Sequence, residues 1–171
     1  PDSEVDLCIS LILQHLPWLR WVWVVTMRPQ TPKCISRPEF KGRVKMVHHD
    51  EIMPASHLPT FNSKAIEANL WKIPLLAERF LYFNDDFYVL KPMSPDAFFE
   101  LHKPIAWVSK TVPPTWKHDK GAYKSSWWNL AGELQGTRLI HHAPLSLTKA
   151  MLADATSHFG DIWTNTVAAR V

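Results

Sequence analysis

Two adjacent carboxylates follow a short apolar run near the middle of the chain. The run reads Phe80-Leu81-Tyr82-Phe83 and leads into Asn84-Asp85-Asp86. Neighbouring carboxylates repel each other, so this pattern favours a cation between them. Oxygen ligands at the end of a buried strand suit Mg²⁺ or Mn²⁺ shared with substrate phosphates. On local grounds the alternative is a solvated turn, for which Asn-Asp-Asp is ordinary composition.

Another carboxylate, Glu67, lies on a predicted helix over residues 62–70, which Asn62 or Ser63 can cap. Its sequence neighbours are small or apolar, and a carboxylate in such surroundings can act as a general base or as a metal ligand. The alternative is an ordinary exposed helical glutamate. Histidines at positions 48, 49, 57, 141 and 142 add further candidate proton carriers, each weak when taken alone.

These side chains need a scaffold, and the hydrophobic pattern predicts alternating helices and strands. Helices are predicted over residues 6–19 (interrupted by Pro17), 62–70 and 146–157, and strands over 21–26, 44–47 and 80–83, with an extended stretch at 87–90. A helix that leads into a nearly all-apolar strand indicates an α/β fold with a mostly parallel sheet flanked by helices. Residues 29–42 predict a loop, and residues 103–136 a lid or an acceptor surface.

Composition limits the class of protein. A length of 171 residues suits one domain, and 46% hydrophobic with 20% charged residues indicates a folded chain. Each apolar stretch is broken before the roughly 20 residues that a transmembrane helix needs, so no membrane span is predicted. The net charge of +3 gives little reason to expect nucleic acid binding. Two cysteines do not make a disulfide framework or a zinc site.

The segment that contains these carboxylates carries a family resemblance. It reads Leu58-Pro59-Thr60-Phe61-Asn62-Ser63-Lys64-Ala65-Ile66-Glu67-Ala68-Asn69-Leu70, then Ile73-Pro74, Leu76 and Glu78-Arg79-Phe80-Leu81-Tyr82-Phe83-Asn84-Asp85-Asp86. This stretch resembles the second signature region of the Stealth family of sugar-phosphate transferases. The family includes bacterial capsular polysaccharide phosphotransferases and the eukaryotic N-acetylglucosamine-1-phosphotransferase.

A thinner similarity to the third region of the family involves His142-Ala143-Pro144, Lys149, Met151, Phe159, Trp163-Thr164 and Arg170. No counterpart of the first or the fourth region is found. Residues 1–171 are therefore expected to form a single, partial catalytic-core domain.

The resemblance implies a glycosyltransferase-A-like, Rossmann-like core. Such an enzyme moves a hexose-1-phosphate from a UDP-sugar to a hydroxyl group of a glycan or polysaccharide acceptor. By position, it implies catalytic roles for Glu67, Asp86, His142 and Arg170, substrate binding by Asn62, Ser63 and Asn84, and Mg²⁺ or Mn²⁺ held by Asp85 and Asp86.

Two other functions stay open at this point. One is a metal-dependent glycosyltransferase that uses the same acidic motif and transfers the sugar without its phosphate. The other is a non-catalytic module that binds a nucleotide-sugar or a carbohydrate. A bacterial enzyme of this kind is expected in the cytoplasm or at the inner membrane, and a eukaryotic one in the Golgi lumen. The oligomeric state is left open.

Overall fold

The computed structural model describes residues 3–107 and 143–168. The helices are α1 (Glu4–His15), α2 (His49–Ile52), α3 (Ser63–Glu67) and α4 (Lys149–Ala168). The strands are β1 (Val22–Thr26), β2 (Val44–His48), β3 (Arg79–Tyr82), β4 (Phe99–Glu100), β5 (Lys103–Pro104) and β6 (Leu145–Thr148). Short 3-10 turns connect several of these elements, including one at Leu70–Lys72 directly after α3.

Helix α1 begins where Ser3 caps it, because the Ser3 hydroxyl accepts the backbone N–H of Asp6 at 3.3 Å. It ends at His15, four residues earlier than predicted, since the following Pro17 cannot donate an intrahelical hydrogen bond. Its buried face includes Cys8 and Ile12, which pack against the strands.

The strands of the described segments form three pairs. Strands β1 and β2 are parallel, with Val22 opposite Val44 and Thr26 opposite His48. Strands β3 and β6 are antiparallel, as are β4 and β5. The prediction of a mixed α/β protein is confirmed. A mostly parallel sheet is wrong for this part of the chain, because only one of the three pairs is parallel.

The C-terminal element differs from its predicted form. Residues 146–148 belong to β6 rather than to a helix, because Leu147 pairs with Phe80 and is buried against the core. The helix starts at Lys149, with the Thr148 hydroxyl accepting the N–H of Met151 at 3.0 Å. It is broken at Gly160, whose φ of 40° and ψ of −111° are not helical. The extended stretch at 87–90 forms no strand.

Three hydrophobic clusters lie around the strands, and the smallest packs Ile9 of α1 and Phe40 against β1 and β2. The largest joins β2 and β3 to α3, α4 and β6 through residues that include Val47, Ala65, Phe80, Leu147 and Leu152. The second packs α1 against the residues that follow β3, among them Val89, Phe98 and Phe99. No helix in the described ranges combines the length and the apolar character that a bilayer span requires.

Candidate active site

The candidate site is built where α3 meets the end of β3. The hydroxyl of Tyr82, the last residue of β3, lies within hydrogen-bond distance of two acceptors, Glu67 Oε1 at 3.1 Å and Asn84 Oδ1, which share its single proton. Tyr82 and Asn84 are two residues apart in extended chain, which puts both side chains on one side of the backbone. A single hydroxyl therefore joins the glutamate of the helix to the polar turn after the strand.

Tyr82 is kept protonated by its surroundings. Its pKa is raised above the ordinary tyrosine value, first by burial and then by the nearby negative charges of Glu67, Asp85 and Asp86. A protonated phenol donates its hydrogen bond to the carboxylate and fixes its direction. Sequence reasoning missed Tyr82 as a site residue, although its hydroxyl within an otherwise apolar strand, two residues before Asn84, was a usable signal.

Asn62 and Ser63 lie at the opposite end of α3 from Glu67. Asn62 is the N-cap: its side-chain oxygen accepts from the backbone N–H of Lys64 at 3.0 Å and of Ala65 at 3.4 Å. This capping confirms the predicted helix start and shows a structural use for the Asn62 side-chain oxygen. Ser63 is exposed and is four residues from Glu67, so both lie on one face of the helix.

Asp85 and Asp86 form the exposed corner of a turn that follows β3. The turn is closed by the N–H of Phe87, which donates to Asn84 O at 3.3 Å. The local alternative of a solvated turn is thus correct as a description of the backbone, and both aspartates are exposed to solvent. The negative charges of Asp85 and Asp86 also affect Cys8 on α1. The pKa of the Cys8 thiol is raised to about 11, mainly by burial and then by these two charges.

The turn offers a divalent cation two neighbouring carboxylates and little else from the protein. Within residues 3–107 and 143–168, no group of three or more His, Cys, Asp or Glu side chains is arranged as a metal site. Mg²⁺ commonly takes one or two carboxylates and completes its shell with waters and substrate phosphates. The donor set fits that open mode of binding and not a closed structural site.

The paired histidines lie at the end of β2. His48 Nδ1 is 3.1 Å from the Thr26 hydroxyl across the parallel pair, and its backbone N–H donates to Glu51 at 2.9 Å. His49 is buried, and its pKa is lowered first by burial and then by His48, with Asp50 acting in the opposite direction. His48 thus has partners that account for it structurally, whereas His49 Nδ1 is buried and has no hydrogen-bond partner among the described residues.

The structure brings together some of the predicted site residues. Glu67 and Asn84 share the Tyr82 hydroxyl, and Asp85 and Asp86 act electrostatically on the same group. His142 and Arg170 lie outside the described residues, as does most of the predicted lid or acceptor surface.

The fold and the site together define a mixed α/β protein with an acidic, oxygen-rich turn at the end of the partly buried strand β3. This type of site suits substrates that carry phosphate, since a divalent cation can link carboxylates to phosphate oxygens. The family model for Stealth protein conserved region 2 matches residues 3–106, and the chain belongs to the Stealth family. The resemblance drawn from residues 58–86 is confirmed.

Proteins of similar sequence support membership of this family. The chain is 41% identical over 98 residues to a capsular polysaccharide phosphotransferase of Neisseria meningitidis serogroup B and 42% identical over 98 residues to one of Haemophilus influenzae. Each match covers 57% of this chain and 26% of the relative. An exopolysaccharide phosphotransferase of Streptomyces coelicolor is 30% identical over 184 residues, which cover 98% of this chain and 33% of that protein. The chain thus spans about a quarter to a third of the relatives it matches.

Proposed function

We propose that the chain carries part of the catalytic core of an enzyme that moves a hexose-1-phosphate from a UDP-sugar to a hydroxyl of a glycan acceptor. The observation that carries this proposal is the Glu67–Tyr82–Asn84 hydrogen-bonded array beside the Asp85–Asp86 turn. Membership of the Stealth family and the names of its relatives support it. We further propose that the complete enzyme has a glycosyltransferase-A-like core, of which the parallel β1·β2 pair forms a part.

In the proposed reaction the acceptor oxygen attacks the β-phosphorus of the donor. A phosphorus–oxygen bond forms to the acceptor, the bond from the β-phosphorus to the bridging oxygen breaks, and UMP leaves with that oxygen. The acceptor hydroxyl gives up one proton. Glu67 is the described candidate to receive it, since the Tyr82 hydroxyl fixes its carboxylate, and His142 is the alternative base.

The negative charge of the diphosphate needs compensation near the two aspartates. Asp85 and Asp86 would hold Mg²⁺, or Mn²⁺, which when bound supplies positive charge to phosphate oxygens. Asp86 is the second acidic residue proposed as catalytic, and Arg170 is proposed to bind phosphate. We propose donor contacts for Asn62, Ser63 and Asn84. For Asn62 the capping role uses the side-chain oxygen, so the proposed donor contact is made by its N–H₂ group.

The test compares two isosteric substitutions with two controls in an enzyme that contains this chain. Glu67→Gln and Asp86→Asn should each lower turnover by about 100-fold or more, in the range for loss of a general base or of charge stabilisation. Glu100→Gln and Asp96→Asn remove exposed carboxylates elsewhere by the same isosteric changes and should leave turnover unchanged. Full activity of both Glu67→Gln and Asp86→Asn would refute the assignment.

The leaving nucleotide separates the proposal from its rivals. UMP release indicates phosphosugar transfer, and UDP release indicates a glycosyltransferase that transfers the sugar alone. Binding of the UDP-sugar with no turnover in the complete protein indicates a non-catalytic module. Because the relatives named above are bacterial, we propose that the enzyme works in the cytoplasm or at the inner membrane.

A further inference from the structure

Helix α4 begins on a residue from a distant part of the chain. The C=O of Glu78 accepts the N–H of Lys149 at 2.9 Å, which extends the antiparallel register of β3 and β6 by one residue. The Glu78 side chain accepts the next N–H of the helix, because its Oε1 lies 2.9 Å from the backbone nitrogen of Ala150. Two hydrogen bonds therefore join Glu78 to the first turn of α4.

These bonds use N–H groups that the helix cannot satisfy by itself. No carbonyl group of an α-helix precedes its first turn, so the N–H groups there need acceptors from elsewhere. Thr148 supplies the acceptor for Met151, and Glu78 supplies the acceptors for Lys149 and Ala150. A carboxylate is also favoured by the partial positive charge at this end of a helix. Glu78 thus fixes the start of α4 on the chain that leads into β3.

The part of α4 before its break at Gly160 packs on α3. Leu152 of α4 and Ala65 of α3 are both fully buried in the largest hydrophobic cluster. Ala155 of α4 and Ala68, just after α3, belong to the same cluster. The separation of two packed helices depends on the side chains at the contact, and alanines let these two approach closely. The direction of α4 therefore determines where α3 lies.

Glu78 and Tyr82 lie at the two ends of β3, since Glu78 directly precedes the strand and Tyr82 is its last residue. One end of the strand is bonded to α4 through Glu78, and the other end is bonded to Glu67 of α3 through the Tyr82 hydroxyl. Because α3 also packs on α4, the strand and the two helices form a closed loop of contacts. A shift of α4 at Glu78 changes, by way of α3, the distance between Glu67 and Tyr82.

We propose that Glu78 is a positioning residue of the candidate active site, which fixes the start of α4 and thereby holds α3 where Glu67 reaches Tyr82. Helix α4 lies outside residues 3–106, which match the family model, so Glu78 links the matched region to the segment that follows it. The catalytic consequence rests on the proposed function, whereas the hold of Glu78 on α4 and α3 does not.

The test compares three variants of an enzyme that contains this chain. Glu78→Ala removes the side-chain acceptor, and Glu78→Gln retains an amide oxygen that can accept the same N–H. Thr148→Val is the matched control, because it removes the other side-chain acceptor of this helix turn, keeps the β-branched shape and leaves both bonds of Glu78 in place. Glu78 is exposed, so its replacement leaves the hydrophobic core intact.

Hydrogen exchange followed by mass spectrometry measures α3 and α4 separately, from peptides over residues 63–70 and 149–156. Loss of a helix cap changes a local opening equilibrium by about fivefold, so Glu78→Ala should speed exchange in both peptides by about that factor. Thr148→Val should speed exchange only in the α4 peptide. Glu78→Gln should remain close to wild type in both.

Turnover in the same variants measures the catalytic consequence. UMP release should show kcat lowered by about fivefold in Glu78→Ala with KM within about twofold of wild type, because Glu67 is proposed to act on the proton that moves in the transition state. Glu78→Gln and Thr148→Val should keep the wild-type kcat.

Three results would overturn the proposal. The first is unchanged exchange of the α3 peptide in Glu78→Ala. The second is equally fast exchange of that peptide in Thr148→Val, which would show that any weakening of α4 reaches α3. The third is a Glu78→Gln variant as impaired as Glu78→Ala, which would show that the acceptor oxygen is not what holds the helix. Faster exchange of α3 with an unchanged kcat would uphold the hold of Glu78 on α3 and refute the role proposed for Glu67.

Discussion

Replacing Tyr82 with phenylalanine tests the link between β3 and the catalytic candidates. Tyr82→Phe removes one oxygen atom and keeps the ring, so the packing of the strand is retained. The lost hydroxyl donates to Glu67 at 3.1 Å and also bonds to Asn84. The variant therefore removes one hydrogen-bond donor that the Glu67 carboxylate and the Asn84 amide oxygen share.

The size of the effect follows from that geometry. A hydrogen bond to a charged group contributes about 1.5–3 kcal/mol, and a neutral one about 0.5–1.5 kcal/mol. Both Glu67 and Tyr82 are partly exposed, so the loss lies toward the low end, at about 1–2 kcal/mol in the free energy of unfolding. In the proposed enzyme, a positioning loss of about 1.4 kcal/mol would lower kcat by about tenfold.

Urea denaturation followed by circular dichroism measures the stability effect, and UMP release in the complete enzyme measures the catalytic one. Tyr88→Phe is the matched control, because the Tyr88 side chain is exposed and lies outside the array. Wild-type stability together with wild-type kcat in Tyr82→Phe would show that the hydroxyl does not hold Glu67.

Alkaline pH gives an independent measurement on the same residue. The pKa of Tyr82 is raised in the folded state, by burial first and then by Glu67, Asp85 and Asp86. The folded state thus binds the phenolic proton more tightly than the unfolded state does. The associated stability is present below the ordinary tyrosine pKa of about 10 and is lost as the pH rises above it. Tyr82→Phe should show a smaller loss of stability between pH 9 and pH 11, and an equal loss would contradict the assigned surroundings.

Three further outcomes are expected from the described contacts. Asn62→Ala removes the cap of α3 and should lower the free energy of unfolding by about 1 kcal/mol in urea titrations, whereas Asn62→Asp should retain most of it. Cys8, with its pKa of about 11, should react with iodoacetamide at pH 8 at least tenfold more slowly than free cysteine, measured in a Cys34→Ser background. His49 has a lowered pKa, so wild-type stability should fall below about pH 6.5 more steeply than that of His49→Gln.

Each of these outcomes has a clear contradiction. An unchanged midpoint in Asn62→Ala would mean that the cap contributes nothing to the fold. Alkylation of Cys8 at the rate of free cysteine would mean that α1 does not bury the thiol. Parallel acid titrations of wild type and His49→Gln would mean that His49 titrates in the same way in the folded and unfolded states.

The local elements followed from local signals. Strands β1, β2 and β3 were predicted to within one residue at each end, because short β-branched and aromatic runs between polar or proline-rich segments leave few other conformations. The start of α3 followed from the ability of Asn62 to accept from the two N–H groups of the first turn. Each of these predictions depends only on residues that are close together in the sequence.

The pairing of strands did not follow from such signals. Residues 145–148 have a helix-compatible composition, and they form β6 because Leu147 fills the core opposite Phe80. The mostly parallel sheet was predicted from a helix that leads into a buried strand, and that signal carries no information on which distant segment lies next to β3. Pairing between residues more than 60 positions apart is decided by packing.

The sequence by itself determined the chemistry that the site can offer. The residue types and spacing of Glu67, Asn84, Asp85 and Asp86 predicted an oxygen-rich acidic site, and the longer motif over residues 58–86 predicted the family of the protein. The tertiary structure alone decided that one hydroxyl, on Tyr82, connects Glu67 on its helix with Asn84 after its strand. It also decided that β1 and β3 line one cavity. The physical reason is that a hydrogen bond of about 3 Å depends on where two elements come to lie, which no local pattern specifies.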